Sequence, residues 1–198
     1  WMEARGTGSD PASNFDIAWI GEEYPTVINR LDHDQTHTGS VVLDYRDQST
    51  SGIMSGLGLS AVYSFGSGQA YTPSIMQSAV FGRGWDAPLA AINSGSMPWY
   101  HNLDVRLDKG FKVMGYGLNV YVLMLNALSH ENVSYVQPMS GRADTDGWLA
   151  TAEGQIWVRT QTENYPAADA EALYNDRVRE PGNWGSPKML RFGIQANF

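Results

Sequence analysis

Apolar and polar residues alternate along several stretches of this chain. In 189–198, Leu190, Phe192, Ile194, Ala196 and Phe198 share one parity, while Met189, Arg191, Gly193, Gln195 and Asn197 share the other. Side chains alternate across a strand, so this segment has one apolar face and one mostly polar face, and it stops on an aromatic. In 57–65, Leu57, Leu59, Ala61, Tyr63 and Phe65 oppose Gly58, Ser60, Val62 and Ser64. In 102–108, Leu103, Val105 and Leu107 oppose Asn102, Asp104, Arg106 and Asp108; in 41–46, Val41, Leu43 and Tyr45 oppose Val42, Asp44 and Arg46. Each pattern predicts a strand. Residues 116–127 are apolar on both parities, so periodicity leaves their faces open. Their β-branched and aromatic content still predicts a strand rather than a helix.

The connections alternate in length. Those after Arg46 and Asp108 are short, and those at 66–101 and 138–187 are long. Outer-membrane barrels pair short periplasmic turns with long extracellular loops, whereas a compact soluble domain rarely tolerates two structureless loops of this size. Within the last long loop, Pro166–Tyr174 combines a Pro start with strong helix formers and predicts a short surface helix. Residues 1–35 read as mostly loop, with turn formers clustered at Gly6, Gly8, Ser9, Asp10, Pro11, Ser13 and Asn14. No internal repeat, low-complexity tract or domain linker stands out.

Composition narrows the class. The longest apolar run, Val120–Leu125, is far below the roughly 18 residues of a membrane helix. A barrel strand needs only about 9–11 alternating residues, so a transmembrane barrel stays open. A net charge of −8 argues against nucleic acid, which wants clustered Lys and Arg. With no cysteine there is no disulfide framework, Cys-based zinc site or thiol nucleophile. The 7 Trp, 10 Tyr and 6 Phe suit strands and aromatic girdles. The chain opens on Trp1 without a signal-peptide pattern, which fits a processed product or the tail of something longer.

An ordered series of short motifs carries a resemblance. Leu31-Asp32-His33-Asp34-Gln35-Thr36-His37-Thr38 precedes a strand, and Ser67-Gly68-Gln69-Ala70-Tyr71-Thr72-Pro73 follows one. Asn93 and Pro98 come before Leu103–Lys109, and Asn126-Ala127-Leu128 with Asn132 end the next strand. Ser140–Gly147 opens the last loop, and Asn183-Trp184-Gly185-Ser186-Pro187 leads into the terminal strand. From Ser9 to Phe198 this resembles the C-terminal end of a TonB-dependent outer-membrane receptor, of the type with a carboxypeptidase-regulatory-like domain ahead of the plug. His33 departs from the family's usual aromatic, and Asn126-Ala127-Leu128 from its Asn-Leu-Phe-type turn. The large departure is length: such transporters have about 22 strands and a plug, and about five full strands are legible here. The resemblance implies an all-β fold, an antiparallel transmembrane β-barrel of which residues 1–198 supply the C-terminal strands with long extracellular loops. It also implies that Phe198 serves as an assembly signal.

Candidate chemistry is sparse. His33 and His37, flanked by Asp32 and Asp34, have a helical metal-site spacing but fall at a loop-to-strand entry, where residues four apart do not converge. A rim motif bonded to adjacent loops is expected instead. Asp144-Thr145-Asp146-Gly147 is like the start of a calcium loop but lacks its third ligand position and has Gln155 where the bidentate Glu belongs, so a hydrogen-bonded Asp-Gly turn is preferred. Asp44, Arg46, Asp104, Arg106, Asp108 and Arg191 share the polar parity and are expected to line a lumen, paired across strands. No nucleophile elbow, phosphate loop or zinc-protease helix occurs. Trp85, Trp99, Tyr100, Trp148, Trp157 and Trp184 lie in or beside the long loops, either stacking on a ligand or forming girdle and loop packing.

The resulting expectation is a non-enzymatic part of a TonB-dependent transporter in the outer membrane of a Gram-negative bacterium. It would bind and import a scarce solute without a cofactor or metal. Its partners would be outer-membrane lipid, the TonB system through the missing plug region, and a small-molecule, glycan or peptide ligand, with no nucleic acid. The rival is a secreted β-sandwich carbohydrate-binding module, whose apolar parity would be its core.

Overall fold

The computed structural model describes residues 1–9, 27–49, 51–75, 78–81, 87–113 and 115–197. Trp85, Phe198 and the turn formers at 10–14 lie outside these residues. In chain order the strands are β1 (Arg5–Gly6), β2 (Asn29–Arg30), β3 (Thr38–Arg46), β4 (Leu57–Gly66), β5 (Ala70–Tyr71), β6 (Ser74–Ile75), β7 (Ala87–Pro88), β8 (Gly95–Ser96), β9 (Tyr100–Val113), β10 (Tyr116–Leu125) and β11 (Met189–Asn197). Two helices, α1 (Ala152–Asn164) and α2 (Ala170–Val178), lie between β10 and β11. The chain divides into two compact units: a loop unit of residues 1–37, 67–98 and 133–185, and a sheet unit of 38–66, 99–132 and 186–198.

The sheet unit is one five-stranded antiparallel sheet in the order β11-β10-β9-β4-β3. Its strands are 9, 10, 14, 10 and 9 residues long from β3 to β11 in chain order. Directly paired residues share a face, so the register fixes both faces across all five strands. One row runs Tyr45, Leu59, Leu107, Val122, Phe192, and the next runs Leu43, Ala61, Val105, Met124, Leu190. All the expected apolar-parity residues among those described therefore lie together, as do Asp104, Arg106, Arg191 and Gln195 on the opposite face. The register also resolves 116–127. Leu118, Val120, Val122 and Met124 join the apolar face, while Asn119, Tyr121, Leu123 and Leu125 join the polar one.

The apolar face is uncovered. Leu43, Tyr45, Leu107 and Leu190 are exposed, and Phe192 and Ile194 are each 72% exposed. Every buried hydrophobic residue among those described lies in the loop unit. The sheet is open, with β3 and β11 at its edges, and no closed barrel is formed among the described residues. Among the described residues the chain is thus mostly β and antiparallel, with two α-helices and two short 3-10 turns.

The polar face carries a charge network. Asp108 is buried and lies 3.5 Å from both Arg46 and Arg106. The Arg106 guanidinium sits 4.5 Å from the Tyr121 ring centroid. Asp104 accepts from Asn102 Nδ2 and from the Asn126 backbone N–H, both at 3.0 Å. Two glycines make room for aromatic rings on their cross-strand partners: Phe65 lies over Gly39 on the apolar face, and Tyr121 over Gly193 on the polar face. A Cβ at either glycine would overlap the ring.

The loop unit is built where long irregular loops were expected. The predicted helix at Pro166–Tyr174 forms as α2, shifted to Ala170–Val178, because Asp169 caps it by accepting from Ala172 N at 3.0 Å. Helix α1 was not predicted. Ile156, Val158, Thr160 and Thr162 are β-branched and disguise it. Its start is nonetheless signalled by Thr151, whose hydroxyl accepts from Gly154 N at 3.1 Å, with Glu153 in the first turn. Two short hairpin-like pairs, β5 with β8 and β6 with β7, order the 67–98 segment, and β1 pairs with β2.

Candidate functional site

The loop unit holds a buried polar centre faced with aromatics. Ala170, Tyr174 and Val178 recur every fourth residue of α2, on one face, and all are buried. Tyr174 stacks on Trp148 with centroids 5.3 Å apart and interplanar angle 22°. Trp157 from α1 packs edge-on against both, and Phe81 completes the cluster 5.5 Å from Trp157. The Tyr174 hydroxyl donates to Asp146 Oδ2 at 2.6 Å and meets Ser78 Oγ at 2.8 Å. Asp146, only 1% exposed, also accepts from Ala79 N and Trp148 N, each at 3.0 Å. Ser78 Oγ in turn accepts from Val80 N and Phe81 N. Burial first, and then the bond to Asp146, push the Tyr174 phenol well above its ordinary value, against the opposing pull of Ser78.

Beside this centre a cleft of about 420 Å³ opens between the helices. Phe81, Trp157, Tyr165 and Leu173 supply apolar wall, and Gln161 and Arg177 supply polar groups. Phe81, Tyr165 and Leu173 remain 58%, 63% and 58% exposed, so the cleft is a solvent-facing aromatic surface.

The other expected site residues are dispersed. Trp148 is buried behind the cleft, and Trp157 lines it. Trp99 stacks on His101, whose Nδ1 lies 2.9 Å from Tyr63 Oη, in the sheet unit. Tyr100 opens β9 opposite Gly66 on the polar face. Trp184 bridges to Val133 in the loop unit. Phe81, Tyr165 and Arg177 were not singled out in the sequence, because the segments that bring them together are far apart and α1 was disguised.

The rim motif is a staple. Asp34, 1% exposed, accepts from Ala4 N at 2.6 Å and Arg30 Nε at 2.9 Å. The Ala4 amide, aided by Arg30 and opposed by burial, holds its carboxyl below the usual range. Asn93, at φ 57, donates to Arg30 O and Asp32 Oδ1 at 2.8 and 2.6 Å. His37 takes part through its backbone, exchanging bonds with Ser67. Among the described residues no group of three or more His, Cys, Asp or Glu could hold a metal ion. In 144–147 the carboxylates meet donors. Asp144 forks onto Arg142 at 2.8 and 2.7 Å, which lowers its own value and raises that of the guanidinium. Asp146 closes an Asp-Gly turn with Gly147 at φ 80.

Comparison with protein-family models, curated proteins and solved structures returned no match.

Proposed function

We propose that the sheet unit is the last part of a transmembrane β-barrel in a Gram-negative outer membrane. The observation that carries this reading is the uncovered face of five adjacent antiparallel strands, apolar except for Lys109 toward the short turns and His101 toward the long connections. Strands of 9–14 residues suit a hydrocarbon core that needs about 9–11 tilted residues. Aromatics sit toward both ends of that face: Tyr45, Phe111 and Tyr116 near the short turns, and Tyr63 and Phe65 with Trp99 stacked on His101 near the long connections. Such girdles occupy the two membrane interfaces. Asp104, Arg106 and Asp108 on the other face fit a hydrated lumen.

The resemblance in the ordered motifs extends the proposal to a TonB-dependent receptor that imports a scarce solute, its missing plug engaging TonB. Binding and gated passage, not covalent chemistry, is the mechanism, with the loop unit outside the cell. The complete gene product tests this. It should fractionate with the outer membrane and migrate differently on gels before and after boiling. A water-soluble product with no such shift favours the sandwich module instead.

A further inference from the structure

We infer that the cleft between α1 and α2 binds a small organic anion with an aromatic or otherwise flat apolar body. The cleft volume of about 420 Å³ accommodates a bicyclic ring system and not a folded partner. Phe81, Trp157 and Tyr165 offer ring faces and edges from separate segments, and Leu173 adds an aliphatic wall. A cleft of this volume, lined mainly by apolar and aromatic side chains with few polar groups, has the make-up of a small-molecule site. The polar complement narrows the ligand. Arg177 is the single charged residue among the described lining residues, and no ion pair engages it there. An aromatic cage for an ammonium ion would want a carboxylate, and a guanidinium repels that cation. A neutral sugar would want several convergent donors and acceptors, whereas Gln161 and Arg177 are nearly all that the described lining residues provide, because the Tyr174 hydroxyl is already spent on Asp146 and Ser78. One planar guanidinium at the edge of an apolar slot matches one carboxylate on an apolar ring. In a chain of net charge −8 the overall field disfavours anions, so their capture depends on this local cation.

The inference stands on the loop unit's geometry and holds whether or not the sheet spans a membrane. The test uses the full chain in detergent micelles, with equilibrium dialysis against matched empty micelles. The probes are 2-naphthoate, 2-naphthylmethanol and 2-naphthylmethylammonium. Naphthoate should bind about tenfold more tightly than the alcohol, and the ammonium most weakly. Arg177→Gln should reduce naphthoate to the alcohol's affinity and leave the alcohol unchanged. Ala168→Trp, which fills the slot, should remove binding of both while near-UV circular dichroism shows the unit folded. Equal affinity for the three probes, no binding above empty micelles, or binding that survives Ala168→Trp would overturn it.

Discussion

Replacing Tyr174 by Phe deletes a single oxygen from the centre of the loop unit. The ring stays, so its stacking on Trp148 and the burial of α2 are preserved. What is lost is the 2.6 Å bond to the buried Asp146 carboxylate and the contact with Ser78. Hydrogen bonds to a charged group are worth about 1.5–3 kcal/mol. Asp146 keeps the Ala79 and Trp148 amides, so it is weakened but not orphaned. The expected loss is about 2 kcal/mol. Asp146→Ala should cost more, about 3–5 kcal/mol, because two amides and a buried phenol then lose their acceptor. Urea unfolding followed by near-UV circular dichroism reads this directly, since Trp148, Trp157 and Phe81 pack around the Tyr174 ring. The phenol adds a pH signature. Its folded value is raised, so its stabilisation is complete below the unfolded value of about 10 and falls as pH climbs above that. Tyr174→Phe should lack this alkaline loss. A change under about 0.5 kcal/mol with the alkaline limb intact would refute the network's role.

Three further outcomes are expected. Asp34 has a depressed folded value, so its contribution is present above about pH 3.9 and disappears as pH falls through the lower folded value; Asp34→Asn should flatten that acid limb in pH-dependent unfolding. Asn126, at φ 48 and bonded to His130 and Ser186, should tolerate Gly better than Ala by about 1 kcal/mol in chemical unfolding, since only Ala adds left-handed strain. The isolated 198-residue chain, with open sheet edges and a bare apolar face, should aggregate in plain buffer and be dispersed by detergent, as read by light scattering. A cooperatively melting monomer without detergent would contradict the membrane reading.

Four of the five long strands were legible because period-two alternation survives in them, and β10 was legible only from its β-branched and aromatic content; strand ends were less legible, as at β9, which runs to Val113, and β10, which stops at Leu125. The faces of β10 were not legible: Leu123 and Val122 look alike in sequence, and only pairing with Arg106 and Arg191 on one side and Leu107 and Phe192 on the other separates them. Helix α1 was hidden by its β-branched residues, and its one local signal was the Thr151 cap. Among the site candidates, Trp148 and Trp157 were visible as aromatics in a long loop. Their assembly with Asp146, Ser78 and Tyr174 was not, because no local pattern links a carboxylate in a turn to a phenol 28 residues on.

The claim that the sheet faces lipid is tested most directly on β10, where parity and hydrophobicity disagree. Nitroxide labels placed singly at Val120, Tyr121, Val122 and Leu123 of the complete gene product, reconstituted in bilayers, report collision with dissolved oxygen, which concentrates in lipid, and with a water-soluble nickel chelate. Labels at 120 and 122 should be oxygen-accessible, and labels at 121 and 123 nickel-accessible, despite the apolar character of Leu123. Oxygen access absent from both parities, or the same at 122 and 123, would contradict a lipid-facing sheet.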